Sequence, residues 1–275
     1  MLNSFLIDFV IVSVIFWVAV ALFHFIKTRH FRLAHFDFNR DNYCILIMPP
    51  LISILLVAIR YQSSLPLGLF LIFGIAGMVG ETIFSIWWKI FFEKNFWIYR
   101  FDTLFNGYTS TLNFVLWGMG GLLLAWVGEK VGISHSPGNG FLSVPLIATY
   151  IFLFFVGFTL FVSYHIGERR KIGFQFKELN FFSYLLFCMP ILAVIVYLAY
   201  VDILYLRAAI FFGLIAFIFE YLLGKVIEFF ISKELWYYSY GSFDHKHSTF
   251  LNILPFILGG FYFWFFYILA LQVIS

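Results

Sequence analysis

The sequence predicts an all-α polytopic membrane protein, with about eight transmembrane helices arranged as two parallel four-helix repeats. Three observations carry that reading: an apolar composition, apolar runs of helix-spanning length, and a stretch that returns 139 residues later. Of 275 residues, 63% are hydrophobic, 24% aromatic and 11% charged, with a mean hydropathy of +0.97. Soluble globular chains are about 45–50% apolar, so lipid is the expected solvent. The net charge of +3 sits in short connections and calls for no nucleic-acid partner. Cys44 and Cys188 lie in apolar runs without metal-ligand or disulfide spacing and read as packing residues. The 41 Phe residues read as lipid-facing bulk.

The first apolar run, 5–26, exceeds a signal-peptide core and lacks a preceding basic region, so it is expected to remain as a span. A basic connection (Lys27, Arg29, Arg32, Arg40) leads to runs at 43–59 and 65–92, and an amphiphilic connection leads to a fourth at 109–127. Pro137, Gly138 and Gly140 mark a linker. The first repeat is therefore expected over 1–130, the linker over 131–142 and the second repeat over 143–275, with runs at 143–164, 181–201, 204–231 and 249–274. Four spans per repeat bring the second half in with the direction of the first, which puts a pseudo-two-fold axis along the membrane normal. Of 17 Lys and Arg residues, 14 fall on one set of alternate connections, and only Arg60, Lys130 and Arg207 on the other. The richer side is expected to be cytoplasmic, which makes this a multi-pass protein of the cell membrane with both termini outside.

The returning stretch holds the candidate site. Gly74, Glu81, Lys94, Trp97, Tyr99, Gly120 and Gly121 fall on Gly213, Glu220, Lys233, Trp236, Tyr238, Gly259 and Gly260. Ser110, Thr111 and Asn113 are read as recurring in Ser248, Thr249 and Asn252 across one small gap. Small residues one turn away flank each acidic residue, Gly77 and Ser85 beside Glu81, and Ala216 and Gly224 beside Glu220, with Glu228 a turn further on. That spacing permits close helix approach and places both carboxylates toward the interior. An ionised carboxylate at the bilayer centre costs ~2.5–3.5 kcal/mol even on the lenient insertion scale, so each must find donors, a proton or water. Helix-to-helix glue remains open beside a functional, proton-carrying pair.

Ser110, Asn113, Trp117 and Gly121 recur at helical steps and are expected on one face, as are Ser248, Asn252, Pro255 and Gly259. They could bind a polar head or a neighbouring helix. Pro255 is expected to bend its helix and free a carbonyl. Trp97, Tyr99, Trp236 and Tyr238 fit an aromatic belt at the headgroups as well as a site. Asp244, His245 and His247 form too weak a pattern for a metal site, and no metal is expected. Phosphate-cradling, nucleophile-elbow and zinc-helix motifs do not occur, which argues against an ATPase or a zinc protease.

These residues resemble the CmpB-like membrane proteins called ABC-transporter type IV, a family that includes the animal transmembrane-229 proteins. Gly77, Glu81, Thr82, Ile83 and Trp88, with Gly107, Thr109, Ser110 and Gly118, resemble its first motifs. Glu220, Tyr221, Gly224, Glu228, Trp236, Tyr238 and Ser239 resemble its second pattern, with Tyr237 where members often carry Asp. The resemblance implies transport of a small solute or ion, by the chain itself or as the membrane subunit of a transporter. The paired acidic spans followed by Trp-x-Tyr also resemble the small lycopene-cyclase membrane proteins, whose carboxylates act as general acids on an isoprenoid, although their Pro-x-Glu-Glu motif is missing here. The expectation is thus a transporter, with a membrane-embedded enzyme on a lipid or isoprenoid, or an assembly protein, as alternatives. Expected partners are membrane lipids, a small-molecule or lipid substrate, and a separate ATPase subunit or a second copy. No cofactor is implied.

Overall fold

The computed structural model describes residues 2–29, 40–92, 94–100, 102–131, 144–170, 179–201, 203–231, 234–244 and 247–274. Eight α-helices occur among them: α1 (Leu2–Thr28), α2 (Arg40–Tyr61), α3 (Leu65–Phe91), α4 (Leu112–Val131), α5 (Val144–Arg170), α6 (Phe181–Val201), α7 (Ile203–Ile231) and α8 (Ile253–Ile274). Five apolar stretches are long enough to cross a membrane, Ser4–Lys27, Leu65–Phe91, Phe181–Val201, Ile203–Phe229 and Phe250–Leu271. The chain is a mostly helical, integral membrane protein. Ile47–Tyr61, Leu112–Val127 and Leu146–Phe158 are apolar but shorter. The linker beyond Val131, Arg32, Lys233, His245 and Lys246, together with the side chain of Cys44, lies outside the described residues.

Local chemistry sets the ends of the central helix α3. Ser64 precedes it and Pro66 occupies its first turn, where a missing N–H costs nothing. Phe92 stops it by turning extended (φ −129°) while still donating its N–H to Trp88 O at 2.9 Å. The fourth and eighth helices begin later than the apolar runs imply. Thr109–Ser110 and Ser248–Thr249 are strands, β3 and β6, and a 3-10 turn, Phe250–Asn252, leads into α8. Pro255 is consequently the third residue of α8, where its N–H would have no helical partner. The expected bend and freed carbonyl therefore have no cause.

Helices α3, α4, α7 and α8 pack as a central group, α3 on α4 and α8, and α7 on α8 and α4; α1 pairs with α2 and α5 with α6 beside it. One apolar core surrounds Phe70, Phe73, Phe212 and Phe263. A second surrounds Trp87, Trp88, Phe96 and Phe187, where the Trp87 and Phe187 rings stack at 4.2 Å and Cys188 packs fully buried. Glycines set the approach of the central helices. A Cβ on Gly121 would stand 2.1 Å from Phe73 Cγ, and one on Gly77 2.1 Å from Trp117 Cγ.

Three short sheets join the connections. β1 (Trp97–Tyr99) pairs antiparallel with β4 (Trp236–Tyr238), with Trp97 opposite Tyr238, Ile98 opposite Tyr237 and Tyr99 opposite Trp236. Arg100 N donates to Leu235 O at 3.0 Å and Ser239 N to Phe96 O at 2.9 Å, extending the pair at both ends. The α3–α4 and α7–α8 connections therefore meet at one end of the bundle. Arg100 reinforces the junction with an ion pair to Glu234 at 2.8 Å, its guanidinium 5.1 Å from the centre of the Tyr237 ring. Within each connection a hairpin folds back, β2 (Thr103–Leu104) on β3 and β5 (Ser242–Phe243) on β6. The first turns through Asn106 and Gly107, both at positive φ, a conformation that suits Asn and Gly.

Candidate functional site

Glu81 lies in the middle of α3, one end of its side chain ringed by donors from the connection that follows. Thr109 Oγ1 donates to Oε2 at 2.5 Å, Asn113 Nδ2 donates to the same oxygen at 2.5 Å, and the Tyr99 hydroxyl donates to Oε1. Glu81 is 8% exposed, so these donors replace water. Glu220 on α7 has the same set. Ser248 Oγ donates to Oε2 at 2.8 Å, Asn252 Nδ2 lies 3.2 Å from both oxygens, and the Tyr238 hydroxyl donates to Oε1. Asn252 also donates to the Tyr238 oxygen. Burial pushes the phenols of Tyr99 and Tyr238 well up from their ordinary range, which keeps both as donors.

Each of the three bonds spans the same sequence distance on both sides, 18, 28 and 32 residues from the carboxylate. The supports match as well. Trp97 Nε1 donates to Tyr108 O and Trp236 Nε1 to His247 O, each at 3.0 Å. This geometry corrects the register of the polar cluster: Ser248 stands opposite Thr109, 139 residues away, and no gap is needed. Ser110 therefore does not reach the carboxylate; its Oγ accepts from Leu112 N at 3.3 Å. Thr109 is the carboxylate partner that the sequence reading missed, and the constant offset of 139 would have pointed to it.

The four Trp and Tyr residues do not form a belt. Trp97 and Trp236 are 8% and 6% exposed, and the strands that carry them fold back so that both tyrosines point at the carboxylates. Asn113 and Asn252 both reach the site. Glu228 stands apart, bonded through Oε2 to His247 Nε2 at 2.8 Å, and Asp244 accepts from Tyr221 and Lys225. Among the described residues no three His, Cys, Asp or Glu side chains converge on a metal position.

Two cavities adjoin the carboxylates. One, of about 120 Å³, lies between α3, α5 and α8 and is walled by residues such as Gly77, Phe84, Phe152, Phe256, Tyr262 and Phe263. The other, of about 100 Å³, lies between α4 and α7 and is walled by Leu116, Trp117, Leu123, Phe212, Phe219 and Leu223. Glu81 and Glu220 border both cavities. The arrangement can hold a carboxyl in a fixed orientation, pass its proton to a bound group, and surround that group with apolar wall. No family model, no curated protein and no solved structure matches the chain.

Proposed function

We propose that the chain is a membrane-embedded acid–base protein for a lipid- or isoprenoid-class ligand, with Glu81 and Glu220 as its proton-carrying groups. The observation that carries this reading is the pair of apolar cavities meeting at two donor-ringed carboxyls. Ligand sites of this kind combine an apolar wall with few polar groups that fix orientation. A hydrated solute or ion would need polar lining along its route, and the walls on both sides of the carboxyls are Phe, Leu, Trp and Gly. The transport implied by the resemblance to CmpB-like proteins is for that reason the weaker reading.

In the reaction we propose, a protonated Glu81 or Glu220 gives its proton to one carbon of an isoprenoid double bond, forming a C–H bond and a carbocation. The other carboxylate, or the same one, removes a proton from a neighbouring carbon, and the C–H pair closes a new double bond or follows a ring closure. Atoms balance without an oxidant or cofactor. The aromatic faces of Trp117, Phe256 and Phe263 supply the negative quadrupole that favours a cation. We further place the chain in the cell membrane as two parallel four-helix repeats with both termini outside, on the strength of the equivalent bonds and the 14-to-3 distribution of basic residues.

Proteoliposomes carrying the protein and a panel of polyprenyl and polyene lipids, incubated in D2O, test the proposal. Transfer from a carboxyl exchanged with solvent puts deuterium into the lipid, read as a one-unit mass gain. Deuterium-free lipids across the panel, together with protein-dependent uptake of a soluble solute, would return the function to transport.

A further inference from the structure

We propose that a chain of charged side chains behind the second carboxylate, Asp244, Lys225, Glu228 and His247, is a proton path that serves Glu220 and not Glu81. The inference rests on the acid–base reading of the carboxyls, and it names the route by which one of them exchanges with water.

The chain runs inward. Side-chain exposure falls from 37% at Asp244 to 31% at Lys225, 29% at Glu228 and 1% at His247. Asp244 Oδ1 meets Lys225 Nζ at 2.8 Å, Lys225 Nζ stands 3.7 Å from Glu228 Oε2, and that oxygen bonds His247 Nε2 at 2.8 Å. Imidazole accepts a proton on one nitrogen and releases one from the other, so a buried ring with a carboxylate on Nε2 can pass protons onward through Nδ1.

The glycine at 224 aims the ring. Gly224 is one helical turn from Glu228 and one from Glu220, and a Cβ there would stand 2.9 Å from His247 Cγ and 3.1 Å from Nδ1. The imidazole thus lies against α7 on the turn between the two carboxyls, in space that any other side chain would take. Residues one turn apart on a helix face are about 5–6 Å apart, a step that one bridging water spans. His247 also precedes Ser248, which donates to Glu220 at 2.8 Å, so the ring and the carboxyl's own donor move together.

The fold does not require these residues. At the matching positions of the first half stand Ile86, Lys89, Phe105 and Tyr108, with Ser85 where Gly224 is. Ser85 Oγ there donates to Tyr108 O at 3.3 Å, closing the gap that His247 occupies in the second half. The other groups facing the path are Tyr221, whose hydroxyl donates to Asp244 at 2.5 Å, and the Trp236 indole, which donates to His247 O. Glu220 itself is faced by Tyr238, Ser248, Asn252 and, across the cavities, Glu81.

Infrared spectroscopy of the reconstituted, ligand-free protein after transfer to D2O tests this, with each carboxyl band assigned by Glu81→Gln and Glu220→Gln. In the wild type the Glu220 band is expected to exchange at least tenfold faster than that of Glu81. Glu228→Gln and His247→Gln, which keep size and hydrogen bonding, are expected to slow Glu220 at least tenfold and to leave Glu81 unchanged. Equal rates for the two carboxyls in the wild type would overturn the path without recourse to any variant, as would equal slowing of both in Glu228→Gln. A Glu220 that takes up no proton at any pH where the protein stays folded would do the same. Because no ligand is present, a failure of the isoprenoid proposal leaves these rates to be read independently.

Discussion

Glu81 and Glu220 hold the same three kinds of donor at the same sequence distances, yet what lies behind them differs. Behind Glu81 the helix face is closed by Ser85 and an apolar Ile86; behind Glu220 it is opened by Gly224 and continued by Lys225 and Glu228. A shared ring of donors argues for one chemical task performed at two places. The unequal surroundings argue that the two carboxyls reach solvent unequally, one as the entry point and the other as its partner.

The largest expected effect breaks the likeness between the sites at its chemical root. Gln keeps the shape of Glu and accepts from two of the donors but carries no exchangeable acid, so Glu81→Gln with Glu220→Gln is expected to lower deuterium transfer by about 10²–10⁴-fold. The protein should still enter the membrane and keep its thermal transition. Undiminished transfer in the double variant would leave both residues as helix-to-helix glue.

Removing the tyrosines sharpens the comparison. Tyr238 donates to Glu220 and accepts from Asn252, whereas Tyr99 has its printed bond to Glu81 alone among those two roles. Hydrogen bonds to charged groups contribute about 1.5–3 kcal/mol. Tyr238→Phe is expected to destabilise by about 3 kcal/mol and Tyr99→Phe by about 1.5 kcal/mol, read as thermal transitions in the same lipid. The reverse order would mean that the two rings of donors are not equivalent in strength.

Matching glycines give the smallest and most graded contrast. Gly121→Ala forces a Cβ to 2.1 Å from Phe73, and Gly260→Ala to 2.8 Å from Phe212. Overpacking costs about 1–3 kcal/mol, with Gly121 expected at the upper end and Gly260 at the lower. Gly120→Ala, where nothing lies within 4 Å, and Gly259→Ala, whose nearest atom is 3.9 Å away, should instead stabilise their helices by up to about 1 kcal/mol. Similar losses at all four positions would contradict the helix spacing described.

Much of the helical framework was legible because apolar runs report burial in lipid directly, and the acidic pair stood out because nothing else in those runs is charged. The hairpins were not legible. Three-residue strands such as Trp97–Tyr99 are too short to show an alternating pattern, and their partner lies 139 residues away, so the pairing of Trp97 with Tyr238 leaves no local trace. Trp and Tyr after a span read equally well as headgroup anchors until the backbone is seen to fold back. Thr109 was lost for a simpler reason: sliding the cluster by one residue to match Ser with Ser broke an offset that the carboxylates, tyrosines and asparagines all keep. Pro255 read as a bend because the apolar run begins before the helix does. His247 gave a weak metal pattern in sequence, and only its seat over Gly224 reveals a different neighbour.

The central claim is that the cavities beside the carboxyls hold an apolar ligand, and photolabelling in intact membranes tests it most directly. A diazirine-bearing polyprenyl probe, activated by light and mapped by peptide mass spectrometry, is expected to label Trp117, Phe256 and Tyr262 at the cavity walls. An excess of unlabelled polyprenyl lipid should compete that labelling away. Labelling confined to exposed helix faces, at Ile15 of α1 or Phe154 of α5, with the cavity residues unmarked, would contradict it.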